Sequence, residues 1–351
     1  MDTFTHTIAG AVIAKAINDE KIGHWGTIAG LAMGAFPDSD FALGLLNRHF
    51  YLQYHREFTH SLLLIPFYAL FFGWVFTRIS RRPYLWSFYK ICLAALLSHV
   101  LFDLFTSYGT MIFSPFFGNR YSWDLLFIID LIFSGILVVP WLVSLLRRKK
   151  AQWICRGSLA GLLIYVLLCW TQHHRAIEET KTFARSLNEK IVEVASLPQP
   201  LSPFRWANYV ETGDRVYQGF VDFLRREPPL SGDRGNELVS GFSAILRRLN
   251  HLYDPHGKVR YQSWKKLQPS PWVEKALGTD GVKFYYWFAR FPVVRSVNST
   301  DGKHRVEFMD ARFLVPSIRL PFVYYVEFDD SGNLLSEGFV EGNRTISPQS
   351  H

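Results

Sequence analysis

Several segments of this 351-residue chain set imidazoles and carboxylates inside or beside apolar runs. His6 lies in FTHTIAGAVIAKAI, Phe4–Ile17, and Asp38 and Asp40 follow Pro37. His55 and His60 come just before the run Ser61–Thr77, and His99 and Asp103 lie within Ile91–Phe105. Asp124 and Asp130 stand at the start of Leu125–Leu146. An ionisable group in a membrane helix is costly, about 3 kcal/mol for an Asp at mid-helix, so each needs a reason. His99 and Asp103 are four apart and share a helix face, where both side chains can chelate one metal. Asp38 or Asp40, with His60, completes a mixed nitrogen/oxygen shell, and His6 and Asp40 join it or hold a second ion. Such donors suit Zn²⁺, and Mn²⁺ or Fe²⁺ less specifically. A metal there would lower the pKa of a water and give a hydroxide nucleophile.

Other roles follow from residue type. His55, Asp40, Asp124 and Asp130 are candidates for acid/base work or for orienting a ligand. Asp124 and Asp130, six apart, stand roughly 120° apart on a helix, so at most one points at the metal and the other holds a histidine N–H. Arg56 offers a planar fork for a substrate phosphate. Ordinary readings compete: a hydrogen-bonded structural His99, a helix cap at Asp38 or Asp40, and a lipid-phosphate contact at His55-Arg56. His173-His174 reads as a membrane-surface pair.

The elements that must position these residues are membrane helices. Ser61–Thr77 and Leu125–Leu146 are long enough to span, by the usual requirement of about 17–25 apolar residues. Ile91–Phe105 needs the flank Tyr84–Tyr89 to reach that length, and Trp153–Trp170 is a fourth run, interrupted by Arg156. Phe4–Ile17 and Trp25–Phe36 are Ala/Gly-rich and short, which predicts a helical hairpin packed against longer neighbours. Lys15, Lys21, Arg78, Arg81, Arg82, Arg147 to Lys150 and Arg156 gather at one set of helix ends, and only Arg48, Arg56 and Arg120 mark the loops opposite. The bias puts the first set in the cytoplasm, so every candidate site residue maps to the outer leaflet.

The whole-chain mean hydropathy of +0.05 averages an apolar first half with a charged, Pro-punctuated remainder. A net charge of +8 fits positive-inside loops plus a basic soluble domain, and no stretch interleaves basic and aromatic residues as nucleic-acid binding requires. Cys92, Cys155 and Cys169 all lie in apolar stretches, which excludes a disulfide framework. Residues 1–16 lack the basic start of a cleavable signal. A polar helix is expected from Arg175 to Leu197. KFYYWFARFPVVRSV, HRVEFMDARFLV and PFVYYVEFDDSGNLLSEGFVEG read as strands, with turns at Asn298–Gly302 and Asp330–Asn333 and a frayed end at Ser347–His351.

Thr5-His6, Pro37-Asp38-x-Asp40, His55-Arg56-x-x-Thr59-His60-Ser61, Ser98-His99-x-x-x-Asp103 and Trp123-Asp124-x5-Asp130 together resemble the YdjM-type family over about the first 150 residues. The resemblance implies a bacterial inner-membrane protein of a group described as membrane-bound, metal-dependent hydrolases. Ser202-Pro203-Phe204-x-Trp206 and the later strands are similar to an extension in longer members. Glu57 departs from the pattern, standing where a small residue is expected. The order Asp, His, His-x-x-x-Asp is also similar to one zinc site of the zinc-dependent phospholipase C and nuclease group. That likeness implies phosphoester substrates and gives Asp38 or Asp40, His60, His99 and Asp103 to a single metal. The group's downstream His-x-x-x-Glu pair has no counterpart here.

The expected fold is therefore a polytopic α-helical bundle of about four long helices and a short N-terminal hairpin, followed by a soluble α+β domain rich in antiparallel strands. Its expected parts are a membrane-embedded metal-site domain (1–172), a helical connector (173–200) and a soluble domain on the periplasmic side (201–351). The expected function is metal-dependent hydrolysis near the periplasmic face, on phosphoester or lipid-linked substrates, with membrane lipids as partners. The rival expectation is a non-enzymatic membrane protein with a structural metal or an ion- or proton-conducting cluster.

Overall fold

The computed structural model describes residues 1–45, 48–227, 250–314 and 322–340. The expected fraying at Ser347–His351 lies outside them. The chain divides into one unit of residues 1–174 with 198–203 and a second of 175–197 with 204–351.

The first unit is helical. Helices α1 (Thr3–Ile17) and α2 (His24–Ala35) pack against each other through glycines. A Cβ on Gly10 would sit 2.0 Å from the Gly30 carbonyl oxygen, and one on Gly34 would sit 2.4 Å from that of His6. Only hydrogen fits at these contacts, so the two backbones approach closely. Asp2 caps α1 by accepting the Thr5 amide, which fixes where the helix carrying His6 begins. A 3₁₀ segment (Pro37–Leu45) follows α2, then α3 (Arg48–Tyr54) and a 3₁₀ turn (Phe58–His60).

Helices α4 (Ile65–Ser80) and α5 (Leu85–Leu104) form a pair, and α6 (Leu131–Leu146) precedes the long α7 (Ala151–Ser186). Ile22, Ala29, Ile65, Phe76, Phe88 and Leu96 meet in one core among α2, α4 and α5. Ile8, Val12, Phe102, Phe133, Leu137 and Tyr165 meet in another among α1, α5, α6 and α7.

Among the described residues, two helical stretches are long and apolar enough to cross a membrane, Leu85–Leu104 and Arg148–Ser186. The expectation of four long helices is corrected for two of the apolar runs. Residues 62–64 form a turn rather than helix, so α4 starts at Ile65, and it meets the Tyr51–His60 segment at 72°. The third run does not begin as helix at Leu125: the Asp130 carboxylate accepts the Ile132 and Phe133 amides and starts α6 at Leu131. At about 1.5 Å per residue α6 reaches roughly 24 Å, short of a ~30 Å hydrocarbon core. The second run does recruit its aromatic flank, making a 20-residue helix from Leu85.

The second unit holds two sheets. In the first, β1 (Ile191–Pro198), β2 (Arg205–Thr212) and β3 (Arg215–Asp222) are neighbours in that order; β4 (Asp254–Pro255) and β5 (Tyr261–Lys265) also pair with β3. β2–β3 and β3–β5 are antiparallel. Helices α8 (Pro271–Leu277) and α9 (Asp280–Phe288) come next. The second sheet is an antiparallel meander of β6 (Pro292–Thr300), β7 (Lys303–Asp310), β8 (Tyr324–Asp329) and β9 (Leu334–Phe339). Asp301 and Gly302, both at positive φ, close β6–β7 in the two-residue turn that right-twisted strands favour, and 330–333 closes β8–β9.

Two local expectations are corrected here. KFYYWF is helical, not extended, because Thr279 caps α9 by accepting the Val282 amide, and Val282, Tyr285 and Phe288 bury one face at spacing three. The polar helix stops at Ser186, and Ile191–Pro198, with its β-branched start, joins the sheet as β1.

Candidate metal centre

Asp38, His60, His99 and Asp103 converge, each offering one donor atom, with all four atoms within 4.8 Å of one another. They come from the 3₁₀ segment after α2, the 3₁₀ turn before α4, and the last two turns of α5. Asp38 and Asp103 follow different routes to one point. The Oδ2 of Asp38 accepts the Thr3 hydroxyl at 2.7 Å, while its Oδ1 lies 3.5 Å from His99 Nε2 and 3.9 Å from His60 Nε2. The Oδ2 of Asp103 lies 3.0 Å from His60 Nε2 and 3.4 Å from His99 Nε2.

Hydrogen bonding on the far side of each ring fixes what the near side presents. His99 Nδ1 is 2.7 Å from the Gly34 carbonyl, which can only accept, so Nδ1 carries the hydrogen. Its Nε2 faces the cluster, and in the neutral ring it is the lone pair open to a metal. His60 Nδ1 is 2.9 Å from the Thr59 hydroxyl, whose hydrogen is given to Asp40 Oδ2 at 2.9 Å. The hydroxyl therefore accepts from His60 Nδ1, and His60 Nε2 faces the cluster. These two Nε2 atoms are 3.1 Å apart. Asp103 Oδ2 between them is buried without a hydrogen-bond donor.

Two imidazole nitrogens and two carboxylate oxygens gathered in a buried space are a donor set of the kind that holds a divalent cation. Donor–metal bonds of about 2.0–2.1 Å in a tetrahedron put donors roughly 3.3 Å apart, and the separations above bracket that value. The donor set and its spacing fit a divalent metal ion. The carbonyl and hydroxyl behind the histidines are the outer partners that orient metal-binding imidazoles in general.

The remaining candidates take distinct places. His6 is fully buried, its ring stacked on His99 at 3.7 Å, with Nε2 3.2 Å from Asp103 Oδ1. It flanks the four-residue group rather than completing it. Asp40 stands behind His60, at 3.6 Å from Nδ1, and receives His55 Nδ1 at 2.7 Å and the Arg56 amide at 2.9 Å. Burial opposes the Asp40 charge, but the His55 hydrogen bond and charge hold its carboxyl below the usual range. His55 stacks on Tyr51 at 4.6 Å.

Arg56, expected to reach outward for a phosphate, is instead 2% exposed at positive φ. One terminal nitrogen pairs with Asp103 Oδ1 at 2.9 Å and the other donates to the Thr106 hydroxyl at 3.2 Å. Asp130 is the α6 cap and also accepts the Tyr165 hydroxyl at 2.8 Å. Asp124 lies before α6 at positive φ, with Ser122 donating to it at 3.3 Å. The expected 120° relation on one helix does not exist, because neither aspartate lies within a helix. Glu57 accepts the Ser114 hydroxyl at 3.0 Å. Sequence reasoning missed Thr3, Thr59, the Gly34 carbonyl and the Met1 amino group, which also reaches Asp103 Oδ1. Thr59 was visible as the neighbour of His60; a backbone carbonyl gives no sequence signal.

The fold and site together define a helical membrane protein with a buried His/Asp cluster fit for a metal, followed by a domain rich in antiparallel sheet. The sequence model of the YdjM inner membrane protein family matches residues 1–176, and the chain belongs to that family. It is 29% identical over 234 residues to "Uncharacterized protein YfhP" of Bacillus subtilis (strain 168), an alignment covering 62% of this chain and 68% of that one. No solved structure matches it.

Proposed function

We propose that the protein is a membrane-bound, metal-dependent hydrolase whose site opens at the outer face of the bacterial inner membrane, with the C-terminal domain on that same periplasmic side. The observation that carries this reading is the meeting of two histidine nitrogens and two carboxylates within 4.8 Å of one another in a buried group. Asp38, His60, His99 and Asp103 would hold the ion, most naturally Zn²⁺, with Mn²⁺ or Fe²⁺ as alternatives. A bound divalent cation supplies Lewis acidity and an activated water, the chemistry of ester hydrolysis.

The chain's own residues then do the rest. Asp40 holds His55 through Nδ1, leaving Nε2 as the atom that can exchange a proton with substrate or water. Asp40 also fixes His60 through Thr59, so one carboxylate orients both a metal-binding ring and a proton carrier. Arg56 and His6 lock Asp103 from its Oδ1 side, which turns Oδ2 into the cluster. Phosphoester and lipid-linked substrates fit a site of this type at headgroup depth.

Turnover of phosphomonoester and phosphodiester panels, by protein reconstituted in bilayers with Zn²⁺, Mn²⁺ or Fe²⁺, tests this. The expected result is metal-dependent hydrolysis that falls about 10²–10⁴-fold in His55→Ala while metal content stays at the wild-type level. Full metal occupancy with no hydrolysis of any ester would make the ion structural and overturn the reading.

A further inference from the structure

Helices α6 and α7 are apolar neighbours that do not close fully on each other. Between them runs a groove of about 600 Å³. Leu131, Gly135, Val139 and Val143, spaced four apart on one face of α6, line one side, and Ile154 and Gly157 of α7 line the other. Two glycines keep the groove open: a Cβ on Gly135 or on Gly157 would meet nothing within 4 Å. Pro140 and Ser158, also in its wall, tie the helices together. Pro140 has no amide for the Ile136 carbonyl four residues back, and the Ser158 hydroxyl donates to that carbonyl instead, at 2.6 Å.

One turn past Val143, α6 ends, and the link to α7 reads Arg147-Arg148-Lys149-Lys150. All four side chains are exposed, and none has a carboxylate partner among the described residues. In a bilayer such a link between helices meets the headgroup layer, where basic residues attract anionic lipid. Leu131 to Val143 covers about 18 Å of helix, against roughly 15 Å for one leaflet of a ~30 Å hydrocarbon core. An acyl tail entering from the basic end therefore has groove beside it for the depth of its leaflet.

A second copy of the chain could cover the same apolar face, but charge argues against it. Two copies in one membrane share an orientation, so a second copy would set another Arg147–Lys150 run at the same level, like charge facing like. An anionic headgroup meets opposite charge there. We propose that the α6–α7 groove binds an anionic phospholipid, with one acyl tail along Gly135 and Gly157 and the phosphate at Arg147 to Lys150. The site shares no residue with the His/Asp cluster, and it does not depend on the hydrolase reading.

Native mass spectrometry of the full chain, released from detergent containing phosphatidylglycerol or phosphatidylcholine with the same tails, tests this. The wild type should retain phosphatidylglycerol in preference to phosphatidylcholine. Gly157→Leu, which fills the groove, should reduce phosphatidylglycerol retention about tenfold, with helical content by circular dichroism preserved. Arg148→Gln, Lys149→Gln and Lys150→Gln together change only the exposed link, so they test the site even where the leucine variant fails to fold; they should abolish the headgroup preference. Equal phosphatidylglycerol retention in the wild type and both variants overturns the site. No headgroup preference in the wild type overturns the anionic lipid. Loss in the charge variant with full retention in a folded Gly157→Leu overturns the groove. A wild-type dimer that Gly157→Leu dissociates overturns the lipid and makes the occupant a second copy.

Discussion

At the scale of single residues, the site is organised by what stands behind each donor. Asp40 is not one of the four convergent residues, yet it accepts from His55, the Arg56 amide and Thr59. Removing such an outer partner costs about 10–100-fold in metal affinity in comparable sites. Asp40→Asn should therefore weaken metal binding by that amount, read by competition with a chromogenic chelator, whereas Thr59→Val should act in the same direction through the lost His60 contact. Unchanged affinity in both would remove Asp40 from the site. In the second unit, the Asn333 side chain and backbone amide hold the Asp329 carboxyl below its ordinary 3.8. A depressed carboxylate stabilises the β8–β9 turn above its unfolded value and loses that contribution as pH falls through the folded one. Asn333→Ala should raise the carboxyl's midpoint toward 3.8 in a carbon-13 titration.

The residue types of the site were legible because ionisable groups stand out against apolar sequence. His99 and Asp103, four apart on one helix, needed only helical geometry. Asp38 and His60 needed the observation that they fall at the same ends of neighbouring helices. The roles of Asp130 and Arg56 were not legible. A carboxylate at a helix start reads alike as cap or catalyst, and an arginine's direction depends on a positive φ that no side-chain pattern announces.

At the scale of elements, the contact between α1 and α2 decides whether His6 and the Gly34 carbonyl reach the cluster. Gly10→Val should block assembly, because the first carbon of the side chain would overlap the Gly30 carbonyl. Thermal aggregation in detergent should show a clear loss of stability together with lost metal. Gly157→Ala, where nothing lies within 4 Å of the added carbon, should change neither. Asp130→Ala tests a cap rather than a catalyst: about 0.5–2 kcal/mol of destabilisation by denaturant or heat, with metal content retained. The same cap explains why an apolar run from Leu125 did not become one helix. Hydropathy measures composition, and the Asp130 side chain overrides it locally by satisfying two amides. In the second unit, aromatic residues of KFYYWF looked extended because aromatics favour strands, yet burial at spacing three under a Thr279 cap made them helical.

At the scale of the whole molecule, membership in the YdjM inner membrane protein family and two candidate spans place the chain in a membrane. The proposed outward orientation rests on the basic residues gathered at one set of helix ends. Cys92, Cys155 and Cys169 are buried, which gives a low background for thiol labelling. Ser331→Cys, in the β8–β9 turn, should react with a membrane-impermeant maleimide in intact cells whose outer membrane has been made permeable. Labelling only after the inner membrane is broken would reverse the orientation.

The central claim is that His60, His99, Asp38 and Asp103 grip a divalent ion. Elemental analysis of the detergent-purified full chain, wild type beside His60→Ala, tests it most directly. The account predicts about one divalent metal per wild-type chain and its loss from the variant, with helical content by circular dichroism preserved. Equal, substoichiometric metal in both proteins would contradict it.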